Sequence, residues 1–195
     1  MPAENGDDER VPPASGARMG VDVGSVRIGV AVSDPAGLVA TPVCTVQRDG
    51  AQDVAQVARV ATEHDVVVVY VGLPKHLSGA EGAASRDART YAEALAGAVR
   101  PVEVRLVDER LTTVTAHQAL HASGRAGRRH RAVVDQAAAV VILQTALDAE
   151  RNRGARAGEQ VPAQDDPGHG HTDEVGGPVG RTDQMRDHGR GQEAR

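Results

Sequence analysis

The sequence predicts an α/β fold: a mixed sheet, three antiparallel strands and then parallel ones, flanked by helices. Three observations lead there. Residues 19–23, 27–33 and 39–47 carry strand-like apolar patterns separated by short turns, which reads as a meander. Apolar residues then recur at helical spacing in 51–64, 83–99 and 132–150. Between the first two helices, Val66–Val71 is a continuous apolar run, as expected of a central strand covered on both faces. Helix and strand alternating after a meander make a mixed sheet with helices on its faces.

Each element has a local reason. The first strand ends at Gly24-Ser25, a tight turn that leads into the second. Helix 51–64 lines up Val54, Val57, Ala58 and Ala61. After Val66–Val71, Gly72-Leu73-Pro74 stops the strand and the polar loop 75–82 follows. Helix 83–99 is expected to turn Tyr91, Ala94, Leu95 and Ala98 inward. Val102, Val104 and Leu106 alternate in a further strand. A shorter helix is expected at 113–122 and the last at 132–150. Residues 1–17 are acidic and polar and read as a disordered arm; residues 151–195, rich in glycine and without sustained apolar period, read as a disordered tail. The folded domain is expected at 18–150.

Composition narrows the function. The chain has no Phe or Trp, and only Tyr70 and Tyr91, which argues against recognition by base stacking. Cys44 is the single cysteine. It cannot form an internal disulfide or a cysteine zinc cluster, so a reducing cytoplasm is expected. The N-terminus does not read as a signal peptide, and the longest apolar runs are too short to span a bilayer. No membrane partner is expected. The net charge is −5, so any nucleic-acid surface must be a local basic patch.

Three carboxylates stand in apolar surroundings: Asp22 in V-D-V-G, Glu109 in L-V-D-E-R, and Asp135 in V-V-D-Q-A-A-A. Burying unpaired carboxylates is costly, and a divalent cation would neutralise them. Asp22 could instead cap the Gly24 turn, Glu109 could pair with Arg110, and Asp135 could favour a helix start. Asp108 rivals Glu109, but strand alternation points the two in opposite directions.

Four blocks, G-V-D-V-G-S-V-R-I-G-V-A-V-S-D, V-G-L-P-K-H-L-S-G, V-D-E-R-L-T-T and V-V-D-Q-A-A-A-V-V-I-L-Q, stand in an order and spacing that resemble the YqgF/RuvX family. The resemblance spans roughly 18–150. It implies an RNase H-like fold and a nuclease that processes the 5′ end of pre-16S ribosomal RNA, with Holliday-junction resolution as the older assignment. It implies Asp22, Glu109 and Asp135 as catalytic, metal-binding acids. Two departures stand out: the family often has Lys shortly before the helix Asp, where this chain has R-R-H-R-A-V-V, and Gln144 stands where many members have Glu. Gln144 is read as peripheral.

Phosphodiester hydrolysis by such a set would use Mg²⁺ or Mn²⁺, two ions in the fullest version. Candidate substrate contacts are Ser25 and Arg27 at the glycine turn, Lys75 in the loop after Gly-Leu-Pro, Arg110, Thr112, Thr113, and the basic run Arg128, Arg129 and Arg131. Each has a plainer alternative: a hairpin turn, a surface lysine, an N-cap at the threonines, a solvated charge run. Expected partners are structured RNA in a ribosomal precursor particle or a four-way DNA junction, with the chain a monomer or homodimer; the junction requires a dimer. Two other classes compete. One is a non-catalytic RNA-binding module of ribosome assembly or transcription; the other is an actin-like nucleotide turn, for which the ordered part of the chain is too short.

Overall fold

The β-branched and apolar runs form strands β1 (Ala17–Val23), β2 (Arg27–Ser33), β3 (Ala40–Gln47), β4 (Val66–Leu73), β5 (Glu103–Asp108) and β6 (Glu159–Gln160). The amphipathic runs form helices α1 (Ala51–Glu63), α2 (Ala83–Ala98) and α3 (Arg128–Arg153), with a single 3-10 turn at Glu109–Leu111. This computed structural model describes residues 15–76, 78–111 and 128–163, with backbone alone for Leu111 and 128–134. The helix expected at 113–122 lies outside the described residues, as does most of the arm and tail.

The strands make one sheet in the order β3-β2-β1-β4-β5-β6. β1, β2 and β3 are antiparallel neighbours, β4 and β5 run parallel to β1, and β6 closes the far edge antiparallel to β5. The expected mixed sheet is therefore present. β1 and β4 lie at its centre, which explains why Val66–Leu73 is apolar on both sides.

Alternation sorts the side chains into two cores. Met19, Val21, Ile28, Val30, Val69, Val71 and Leu106 pack with Val57, Tyr91 and Leu95 under α1 and α2. Ala31, Val68, Tyr70 and Val107 pack with Ala139, Leu143, Ala146 and Leu147 of α3 on the opposite face. In α2 the inward stripe is Ala88, Tyr91, Ala92, Leu95 and Ala96. Ala94 and Ala98, expected inside, are exposed, because the burial stripe on α2 is centred about one position away from that reading.

The folded part is longer than the sequence suggests at both ends. β1 begins at Ala17 and α3 runs to Arg153. Beyond it, Ala157 and Val161 are buried. The Val161 N–H donates to Val104 O at 3.0 Å or less, 2.9 Å, and Arg105 Nε and Nη2 donate to the carbonyls of Ala157 (2.6 Å) and Gly158 (2.7 Å). A two-residue strand leaves no period to read in a sequence. Glu150, placed at the expected domain end, is buried. It receives Arg18 Nε at 3.1 Å and the Tyr70 hydroxyl. Gln144, read as peripheral to the acids, ties α3 to the start of β3: its Oε1 accepts the Ala40 N–H (3.0 Å) and its Nε2 donates to Leu38 O (3.2 Å). A glutamate there would lose the donor. Among the described residues no helix is long and apolar enough to cross a membrane.

α3 comes close to the sheet because glycines lie beneath it. A Cβ on Gly29 would stand 2.0 Å from the Asp135 carbonyl oxygen, and one on Gly20 would stand 2.6 Å from Leu143 Cβ. Backbone cannot yield as a flexible side chain can. Gly29→Ala is therefore expected to destabilise by about 2 kcal/mol or more, the upper range of overpacking. Gly97, exposed near the end of α2 with open space around it, should respond oppositely: Gly97→Ala is expected to stabilise by roughly 0.5–1 kcal/mol through helix propensity. Urea unfolding midpoints of the two variants against the parent measure both.

Candidate active site

The α3 face of the sheet carries the acids. Asp22 lies two residues after Gly20, so its side chain is on the face that α3 covers. It pairs in register with Gly29 of β2. On β4, the neighbour of β1, Gly72 opens the same face. A Cβ there would meet Glu109 Oε1 at 2.5 Å and Ile142 Cδ1 at 2.6 Å. Glu109 thus folds back from the end of β5 over a position without a side chain. The site sits at the carboxyl ends of the parallel strands, where open α/β sheets place their ligands.

The carboxylates of Asp22 and Glu109 act on one another. Burial pushes the Glu109 carboxyl up, and the negative charges of Asp22 and Asp108 push it further, to about 7. Asp108, the rival ligand, turns elsewhere. Arg110 grips it with Nε at 3.1 Å and Nη2 at 2.6 Å, and Lys75 Nζ lies 3.8 Å away. The Arg110 hydrogen bonds hold the Asp108 carboxyl below the usual range. The two consecutive acids thus meet different surroundings, one gripped by Arg110 and the other set over Gly72.

Asp135 is not drawn up to the other two. Its backbone carbonyl rests over Gly29, the register partner of Asp22, and its side chain faces Arg27, with Oδ2 3.7 Å from Nη1. That distance makes an ion pair but not a hydrogen bond, and Oδ2 is buried with no hydrogen-bond partner. Among the described residues, no three His, Cys, Asp or Glu side chains converge tightly enough to hold a metal ion. The donor chemistry still fits a hard divalent cation. Mg²⁺ is commonly held by one or two carboxylates plus water, and this face offers two that repel each other beside an acidic oxygen without a hydrogen bond.

The remaining candidates divide. Ser25 is exposed on the β1–β2 turn, and Arg27 stands beside Asp135. Lys75 lies between Glu81 and Asp108, 3.8 Å from each. Arg110 Nη1 would lie 3.3 Å from a Cβ on Gly79, so its guanidinium lies close to that glycine while it holds Asp108. Thr112 and Thr113 lie outside the described residues. Arg128, Arg129 and Arg131 fall in the first turn of α3, and their side chains are outside the described part. Sequence reasoning missed the Arg27–Asp135 pair and the role of Gly72. The G-L-P block marked that glycine only as a strand stop.

The raised Glu109 carboxyl has a consequence for stability. Its folded pKa, about 7, lies above the ordinary 4.5, so the folded state keeps the proton longer than the unfolded chain. Its contribution is fully present below the unfolded value and is lost as pH rises through about 7. In chelator, the parent is expected to lose stability between pH 5 and 8, and Glu109→Gln to lose less. Urea midpoints across that range would show it.

Comparison with known proteins identifies the family. A family model described as "RuvX: Holliday junction resolvase" matches residues 16–149. A Nocardioides protein named "Putative pre-16S rRNA nuclease" is 56% identical over 152 residues, 75% of this chain and 97% of that one. Proteins of the same name from Clavibacter michiganensis and Streptomyces coelicolor are 54% and 50% identical, each over 75% of this chain and covering 92% and 88% of their own length. A structure of Thermus thermophilus RuvC with a Holliday junction substrate overlays at a TM-score of 0.49 and 17% identity, over 72% of this chain and 98% of that chain, a likeness too loose to assign residues. With a family model matched over residues 16–149 and relatives identical at half or more of the aligned positions, the chain belongs to the RuvX family.

Proposed function

We propose that this chain is a divalent-metal-dependent nuclease that cleaves structured RNA, with the 5′ leader of pre-16S ribosomal RNA as its substrate in the cytoplasm. Membership of the RuvX family and the names of its relatives support a phosphodiester-hydrolysing enzyme. The observation that carries the mechanism is the pairing of Asp22 with Glu109: two half-buried carboxylates on one face, each raising the cost of the other's charge.

In this reading Asp22 and Glu109 would hold the cation, with Asp135 on α3 as the third candidate ligand. A cation held there would supply an activated water and offset charge on the leaving oxygen. The residues of the chain do the rest. Asp22 is rigid because it sits on a central strand. Gly29 and Gly72 let α3 and the Glu109 carboxylate lie close against the sheet beside it. Arg27 meets Asp135 in the ion pair and is the cation best placed to face a substrate phosphate. Lys75 and Arg110 share their charge with Asp108 and Glu81 and act at the rim. The basic first turn of α3 extends the path for the nucleic-acid backbone, an electrostatic contribution that weakens with salt.

The description of the family favours a second substrate, the four-way DNA junction. The same acids would serve, and symmetric cleavage would require two copies. Labelled pre-16S leader RNA and a four-way junction, offered in parallel, separate the two readings.

Asp22→Asn is expected to lower cleavage by at least about 10³-fold, the scale of losing a principal electrostatic group, with the melting temperature equal to or above the parent's. Cleavage by the variant at the parental rate would end the assignment of Asp22. Chelator should abolish activity and added Mg²⁺ restore it. Mg²⁺ should also raise the parent's melting temperature at pH 8 and leave that of Asp22→Asn much less affected.

A further inference from the structure

Arg48, in the loop between β3 and α1, touches three separate pieces of the fold. Its backbone N–H donates to Val26 O at 3.0 Å, and its Nη1 donates to Gly24 O at 3.3 Å. Both carbonyls belong to the β1–β2 turn. The other contacts hold the guanidinium itself. Nη1 and Nη2 grip the two carboxylate oxygens of Asp87 on α2, at 3.1 and 3.2 Å. Nε is 3.6 Å from Asp53 Oδ2 on α1, and the Tyr91 ring centroid is 5.3 Å away. Asp53 is itself fixed, 1% exposed and accepting the Asp49 N–H at 2.7 Å. A planar fork with several donors can serve all these partners at once; an ammonium cannot.

The carbonyl contacts orient the turn. In a trans peptide the C=O and the following N–H point in opposite directions. With Gly24 O directed at the guanidinium, the N–H of Ser25 is turned away from it, on an exposed residue of the turn; Val26 O faces the Arg48 backbone N–H beside β3, so the Arg27 N–H turns back toward β1. Ser25 stands three residues after Asp22 in the chain. A backbone N–H presented in this way at a glycine turn can donate to an anion. Asp53 and Asp87 balance the charge of Arg48, so it acts on the turn through its geometry rather than through its field.

We propose that Arg48 is a positioning residue: it clamps the Gly24–Arg27 turn so that the amide of Ser25 donates to a substrate phosphate near Asp22. The inference rests on the nuclease reading above. It concerns binding of the phosphate rather than the chemical step, so its signature is in KM.

The test uses the full-length chain with Arg48→Lys, and with Asp87→Asn as a milder variant that removes one anchor of the fork. Cleavage of labelled pre-16S leader RNA in Mg²⁺ is followed together with amide exchange at Ser25, Val26 and Arg27. Arg48→Lys is expected to raise KM about tenfold and change kcat less than about threefold, the pattern of lost binding without lost chemistry. Exchange at the turn should speed up while β1 stays protected. Asp87→Asn should shift both readouts the same way by a smaller factor. Unchanged KM, or a loss confined to kcat, overturns the proposal. Unchanged exchange at the turn overturns it as well. If the parent cleaves no substrate in Mg²⁺, the nuclease reading fails by itself, and the exchange data still decide whether Arg48 holds the turn.

Discussion

The close approach of α3 to the sheet is the constraint on which the site depends. Helices usually pack on sheets through side chains on both partners. Here part of the sheet contributes none: the carbonyl of Asp135 stands over Gly29, and Ile142 shares the space above Gly72 with Glu109. Apolar contacts of Ala139, Leu143, Ala146 and Leu147 hold the helix down along the rest of its length. The geometry brings an acid from α3 to the border of the two acids at the strand ends. The space that side chains would fill at Gly29 and Gly72 is taken by the helix backbone and by the Glu109 carboxylate instead.

Two neighbouring acids illustrate how local periodicity becomes chemistry. Asp108 and Glu109 are adjacent in the chain and opposite in direction. One is satisfied by Arg110 and Lys75. The other is pressed against a glycine and faces the charge of Asp22. The energetic contrast between them comes from position in a strand, since the two side chains have almost the same intrinsic acidity. Under the proposed metal-dependent reading this contrast would favour a cation, because positive charge would relieve the repulsion that raises the Glu109 carboxyl.

Much of this could be read in advance. Val66–Val71 announced a central strand by its unbroken apolarity, and the alternation in 102–107 was enough to separate Asp108 from Glu109. Elements with a strong period were placed within a few residues. What escaped had no period. β6 is two residues long, and its place is set by Arg105 reaching the carbonyls of 157 and 158. The alanines of α2 misled because alanine tolerates either side of a helix, so that Tyr91 and Leu95 alone defined the stripe. Arg48 looked like any loop arginine. Its importance arises from a buried aspartate five residues on and another on a distant helix, a meeting that only the tertiary fold creates.

The buried pair of Arg18 and Glu150 sets where this domain can be cut. The family match stops at residue 149, one position short of the carboxylate that neutralises Arg18 at the start of β1. A fragment ended there would leave a guanidinium in the interior with its counter-charge removed, a far costlier state than an exposed broken ion pair. It would also deprive the Tyr70 hydroxyl of its acceptor and uncover the outer edge of β5. The smallest autonomous unit therefore extends at least to Val161, and the stretch after α3 belongs to the architecture, not to an appendage.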